Sequence, residues 1–269
     1  MLKDITFGQY FESNSIIHRL DPRTKMLLLI LNIVFLFLTQ NMYSLLVCAI
    51  LTVIVMILSK VPSKMFFKNI KTILPIIIFT TAINLFYGNS GTVLLSFWHL
   101  TITTGGVWRA VYMASRIIIL ILFSSVLTYT TTPNDITDAI ESLLSFLRIF
   151  GLRAAVHMLA MMMTIALRFI PTLVEETEKI INAQKARGAD LENGKLFDRI
   201  KALIPILIPL LISSVRRAYE LAEAMECRCY NGGVGRVRMK QLKYSVLDLE
   251  IAIVNVLFCG LVIAFNVLF

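Results

Sequence analysis

The chain has 269 residues, 57% hydrophobic and 16% charged, with a formal net charge of +9 and a mean hydropathy of +0.78. That balance is too apolar for a water-soluble domain of this length and points to a bilayer as solvent. The basic residues are unevenly placed, absent from 73–107 and 117–147 and dense over 148–243, which reads as membrane topology and not as a nucleic-acid footprint.

The start, Met1-Leu2-Lys3-Asp4-Ile5-Thr6, lacks the basic region, short apolar core and small-residue cleavage site of a signal peptide, so the first span is expected to stay as an anchor. Asp21-Pro22 puts an N-cap acceptor before a proline at the first helical position and opens that span, over about Thr24 to Gln40. The polar break Gln40-Asn41 separates it from a second span, about Tyr43 to Leu58. A third covers about Ile70 to Phe86, a fourth about Gly106 to Thr131 and a fifth about Val246 to Phe269.

Basic clusters should lie on the cytoplasmic side, and here they fall at His18-Arg19, Arg23 and Lys25, at Lys60, Lys64, Lys68 and Lys71, and across Arg148 to Lys243. This predicts a cytoplasmic N-terminus, outer connections at Gln40–Met42 and Tyr87–Gly105, and an extracytoplasmic C-terminus at Phe269. The longer outer connection carries Trp98 and His99 and reads either as an interfacial loop or as a partly re-entrant segment. Arg116 lies well inside the fourth span, where an ion is costly; it reads as a pathway residue or an internal pair, or as a structural group that faces protein and not lipid. Arg109, nearer the outer end, can extend to the headgroups.

Thr132-Pro133-Asn134-Asp135 writes another helix start, with Thr132 as cap, Pro133 first and Asp135 in the positive N-terminal turn. The helix, to about Phe150, sets Ile136, Ile140, Leu143, Leu144 and Leu147 on one face and should lie at the membrane surface. Gly151 breaks it. Two longer amphipathic patterns follow, about Ala154 to Arg187-Gly188 and about Lys195 to Arg228, each roughly 50 Å long at ~1.5 Å per residue. Both are kinkable, because Pro171 cannot donate to the carbonyl of Leu167, nor Pro205 and Pro209 to those of Lys201 and Pro205. Three segments result: 1–131 with four spans, 132–244 as a cytoplasmic helical section, and 245–269 as the last span. The fold class is an all-α polytopic membrane protein with about five transmembrane helices.

The final stretches of the two long helices resemble each other. Each ends in a small residue, an arginine and another small residue, Ala186-Arg187-Gly188 and Cys227-Arg228-Cys229. Upstream, Glu175-Glu176 matches Arg216-Arg217 with opposite charge, which predicts that the helices cross and pair there. A single arginine in a last turn needs only the helix macrodipole to explain it, at ~0.3 to 1 kcal/mol. Two, each flanked by small side chains and each ending a long helix, offer unobstructed planar donor forks to carboxylates in a partner's groove. Gly188 also fits a helix C-cap.

With these residues in view, the chain resembles the transmembrane T component of energy-coupling factor transporters, the vitamin and metal-ion uptake branch of the ABC superfamily. The resemblance rests on Leu20-Asp21-Pro22-Arg23-Thr24-Lys25, Thr131-Thr132-Pro133, Ala166-Leu167-Arg168-Phe169-Ile170-Pro171, Ala186-Arg187-Gly188 and Ala224-Met225-Glu226-Cys227-Arg228-Cys229-Tyr230. It implies a non-catalytic scaffold in a bacterial cell membrane, with Arg187 and Arg228 each inserting into a groove on one of two cytoplasmic ABC ATPase subunits. The long helices would pass ATP-driven closure of that pair to a separate substrate-binding membrane protein, the S component. ATP and Mg would belong to the ATPases, and no cofactor or metal to this chain. The family's second motif usually places Ala before its arginine, so Cys227 and Cys229 depart mildly from it while keeping the small-Arg-small pattern.

Two other classes fit less well. An intramembrane or membrane-surface enzyme would need convergent groups, yet His18, His99 and His157 are scattered along the chain, and no Walker motif or dinucleotide fingerprint occurs. An autonomous secondary carrier would be expected to show paired interrupted spans with ionisable groups near the midplane, which Arg116 alone does not supply. Cys48 and Cys259 sit in apolar runs as small buried hydrophobes, and two cysteines at 227 and 229 without further ligands do not make a zinc site.

Overall fold

A computed structural model describes residues 10–86, 92–97, 100–145, 153–189, 196–231 and 242–268. In chain order they form α1 (Ile16–Arg19), α2 (Pro22–Leu38), α3 (Met42–Ser59), α4 (Ser63–Phe86), β1 (Val93–Phe97), β2 (Leu100–Thr103), α5 (Thr104–Thr130), α6 (Pro133–Leu144), α7 (Arg153–Ala186), α8 (Leu196–Glu226) and α9 (Val246–Leu268). The protein is an all-α polytopic membrane protein. Its helices fall into two units, one drawn from Gly8–Ile136 with Gln241–Phe269 and one from Thr137–Lys240.

Among the described residues, six helical segments are long and apolar enough to cross a membrane: Met42–Ser59, Ser63–Phe86, Thr104–Thr130, Ala155–Ala186, Lys201–Glu226 and Val246–Leu268. This set differs from the five expected spans at three helices. It adds the two long amphipathic helices, whose first halves are apolar, and it leaves out α2. With 17 residues, α2 is one residue shorter than α3 and stands at the lower end of the ~17 to 25 residues of a spanning helix.

The first unit is closed by polar caps at both ends of α2. At its start, Asp21 accepts from the backbone N–H of Arg23 at 2.9 Å, while its own N–H donates to Asp248 of α9 at 2.8 Å. Lys25, one turn on, is buried and donates to the carbonyl of Thr130, the last residue of α5, at 2.9 Å. The core beside these groups holds Ile17, Leu20, Val61, Phe66, Val126 and Tyr129, with the Phe66 and Tyr129 rings edge to face at 5.3 Å.

At the other end of α2, a chain of side chains meets its last carbonyls. Arg116 of α5 donates through Nη2 to the carbonyl and hydroxyl oxygens of Thr39 and reaches the hydroxyl of Tyr112 at 2.8 Å. Tyr112 itself donates to the Thr39 carbonyl at 2.6 Å. From α9, Asn266 donates to the carbonyl of Leu38 at 2.9 Å and accepts from Gln40 N–H and the Ser44 hydroxyl. Backbone groups inside a bilayer must find partners within the protein, so the partly buried Arg116 serves as the cap of α2. α4 and α5 approach closely at Gly106, where a Cβ would stand 2.6 Å from the carbonyl oxygen of Leu85.

The connection between α4 and α5 holds a β-hairpin. β1 and β2 pair antiparallel, Val93 opposite Thr103 and Phe97 opposite Leu100, with a register irregularity between Val93 and Leu95. Trp98 and His99 lie outside the described residues, as do Leu147, Phe150 and Gly151 of the expected surface helix and its break. The Thr132 cap is in place: its hydroxyl accepts from the backbone N–H of Asp135 at 3.2 Å and donates to that residue's carboxylate at 2.7 Å.

Candidate functional site

The second unit is built on α7 and α8. Both carry an apolar stripe with interior prolines, Pro171 in α7 and Pro205 and Pro209 in α8. Pro209 cannot donate to the carbonyl of Pro205, and that acceptor instead takes the side-chain amide of Gln184 from α7 at 3.4 Å. Further along, Arg217 Nη2 lies 2.8 Å from Glu176 Oε2, and the Ser213 hydroxyl donates to Glu176 Oε1. Position 184 meets 205 and position 176 meets 213 and 217, so the helices run antiparallel where they touch.

Of the four residues predicted to pair, the structure brings Glu176 and Arg217 together, while Glu175 and Arg216 are exposed. Ser213 and Gln184 complete the contact. They carry no sequence signal of their own, because a serine or glutamine on an amphipathic helix reads as an ordinary polar residue. Past the crossing, Phe169 and Leu173 of α7 and Ala218, Leu221 and Met225 of α8 line a cavity of about 260 Å3.

Both helices end in the same backbone motif. At the end of α7, the Gly188 N–H bonds to the Lys185 carbonyl at 3.0 Å and the Ala189 N–H to that of Gln184 at 3.0 Å. At the end of α8, the Cys229 N–H bonds to the Glu226 carbonyl at 2.8 Å and the Tyr230 N–H to that of Met225 at 3.0 Å. These are two Schellman motifs, each with a left-handed residue after the C-cap: Gly188 with φ +86° and Cys229 with φ +53°. The C-cap residue is Arg187 in one and Arg228 in the other. Only the first was legible as a helix stop, since a glycine announces a left-handed position and a cysteine does not.

Arg187 lies eleven residues after Glu176, and Arg228 eleven after Arg217. Each arginine is therefore about 16 Å along its own helix from the crossing pair, on opposite arms. Both are exposed, as are Ala186, Gly188, Cys227 and Cys229, and the two cysteines are free thiols. The same unit exposes large apolar side chains, among them Met158, Met162 and Met163 of α7 and Leu207, Leu211 and Ile212 of α8. A chain of this kind has no reason to show such surface unless lipid or another protein covers it.

The family model described as cobalt transport protein matches residues 13–240. Relatives named energy-coupling factor transporter transmembrane protein EcfT include that of Ruminiclostridium cellulolyticum, 48% identical over 269 residues that cover all of both chains. That of Clostridium kluyveri is 47% identical over 92% of each chain, and that of Bacillus subtilis 38% identical over 94% of this chain and 95% of the other.

Proposed function

Since the chain belongs to this family of energy-coupling factor transporter transmembrane proteins, we propose that it is the coupling subunit of an importer in a bacterial cell membrane. In this reading Arg187 and Arg228 each dock into one of two ABC ATPase subunits, and the crossed helices carry the closure of that pair to a substrate-binding membrane component. The chain itself catalyses nothing; ATP and Mg2+ are held by the ATPases, and the cargo, a vitamin or other micronutrient, by the substrate-binding partner. The α7–α8 section then lies on the cytoplasmic side with the N-terminus, and the C-terminus on the other.

The observation that carries this reading is the matched pair of helix ends. Two antiparallel helices that cross have a local two-fold axis through the crossing, and it relates two ends equally far along their arms. A dimer of ATPases presents two grooves related in the same way, so one continuous chain can offer each groove an arginine. Both arginines are exposed C-cap residues, and a guanidinium there can form charge-assisted bonds to a partner's carboxylates. The exposed apolar faces of α7 and α8 supply the surface on which a second membrane protein can rest.

Copurification tests it. The double substitution Arg187→Glu with Arg228→Glu should abolish recovery of the ATPases with the chain in mild detergent while membrane insertion continues. Retained assembly would remove both arginines as contacts. ATP hydrolysis by the purified chain without partners would overturn the non-catalytic assignment.

A further inference from the structure

Between α1, α2, α3, α5 and α9 the first unit holds a cavity of about 370 Å3, within the ~300 to 1,000 Å3 typical of sites for small organic ligands. Its ionisable groups collect at one end: Lys25 in the first turn of α2 and Glu250 in the second turn of α9, with Thr130 at the end of α5. Beyond them the wall is hydrocarbon, with Leu29, Leu51, Val55, Phe123 and Phe258. Asn255, the one polar side chain further in, is already engaged with Asn32 at 3.2 Å. From Glu250 to Phe258 the lining runs eight residues along α9, about 12 Å.

We infer that this cavity holds one acyl chain of a membrane phospholipid, its headgroup at the Glu250 end. Three properties select that occupant. Three of the walls, α3, α5 and α9, are long and apolar enough to cross a membrane, so the surrounding phase is hydrocarbon, and an apolar cavity gives water no partners. At about 370 Å3 the space is too small to take a helix, ~10 to 12 Å across, within it. The polarity runs from charged to apolar along one axis, as it does along a single lipid. Lys25 is not an open cation for a headgroup, because Thr130 already takes its ammonium at 2.9 Å; the exposed Glu250 carboxylate favours a headgroup that carries an ammonium. The inference rests on the membrane placement of these helices and not on the coupling to ATPases.

The test uses the full chain in vesicles containing phosphatidylethanolamine with a photoreactive diazirine in the middle of one acyl chain. Labelling should concentrate on cavity residues of α3, α5 and α9. Val254→Phe, which narrows the cavity, should lose most of it, whereas Val267→Phe, on the exposed far end of α9, should leave it unchanged. Labelling spread evenly over the lipid-facing residues, or unchanged in Val254→Phe, would overturn the inference. Should Val254→Phe fail to insert, native mass spectrometry of the unaltered chain decides. One phospholipid per chain retained through detergent washing supports the site, and its mass separates phospholipid from free fatty acid. A chain that emerges without lipid refutes the site. Neither outcome bears on copurification with ATPases, so the two readings fail separately.

Discussion

Arg217 of α8 holds Glu176 of α7 at 2.8 Å, with Ser213 on the other carboxylate oxygen, at the point from which the two helix-ending arginines are equally distant along their chains. The pair is partly exposed, so its own worth is about 1 kcal/mol or less. Reversing one member is worse than losing it, since two like charges then face each other at the crossing. Glu176→Arg and Arg217→Glu should each lower ATP-dependent uptake by the assembled transporter, and the double exchange should recover most of it. Additive losses in the double variant would show that the pair does not hold the crossing.

Arg116 has a different kind of value, because its partners are backbone carbonyls in the membrane. Removing the guanidinium leaves the Thr39 carbonyl with Tyr112 as its donor and takes away a charge-assisted hydrogen bond, worth ~1.5 to 3 kcal/mol. Arg116→Met should lower the thermal unfolding midpoint of the detergent-solubilised chain by several degrees. Arg116→Lys should recover part of the loss, keeping the charge without the planar fork. An unchanged midpoint in Arg116→Met would mean that water or lipid replaces the cap.

The two helix ends predict opposite responses to mutation. Gly188→Ala places a side chain at φ +86° and should destabilise the end of α7 by about 1 kcal/mol. Cys229→Gly relieves the left-handed strain at φ +53° and should stabilise the end of α8 by a few tenths of a kcal/mol, net of the added freedom of the unfolded chain. Hydrogen exchange at the last turn of each helix would read both effects. Protection that moved the same way in both variants would contradict the shared motif.

His18, outside the spans, adds a pH dependence. Its Nε2 bonds to the Phe11 carbonyl at 2.8 Å, and a carbonyl can only accept, so the proton sits on Nε2 and Nδ1 takes the Ser15 hydroxyl at 2.6 Å. Burial pushes its pKa below the usual histidine value, the Lys25 charge works the same way, and the bonds to the Phe11 and Tyr129 backbones oppose them. The unfolded chain therefore takes up a proton at a higher pH than the folded one. Stability should be intact above about pH 6.5 and fall as the pH drops below it toward the folded-state pKa. His18→Gln should flatten that part of the stability profile in detergent; an unchanged slope would assign the dependence to another group.

Much of the architecture was readable because its causes are local. Asp21-Pro22 and Thr132-Pro133 start helices where they say they do, since a cap bond spans two or three residues and proline presets one dihedral. The spans and the two amphipathic helices follow from apolar length and a 3.6-residue period, and the small-Arg-small endings stand out by repetition. Hydropathy could not separate the apolar halves of α7 and α8 from the other apolar helices, because it measures composition and not what a helix packs against.

What tertiary structure alone decided lies in contacts between residues far apart in the chain. Arg116 could be placed inside a span from sequence, but its task at the end of α2, 77 residues away, depends on how deep that helix stops. Asp248 reaches Asp21 across 227 residues, and Cys229 takes a left-handed conformation that glycine would have announced and cysteine concealed. The two arginines were visible as a repeated ending on two helices. Their common Schellman geometry came only with the fold, and so did the choice of Glu176 with Arg217 over Glu175 with Arg216 as the contact, because packing decides which face of each helix meets the other.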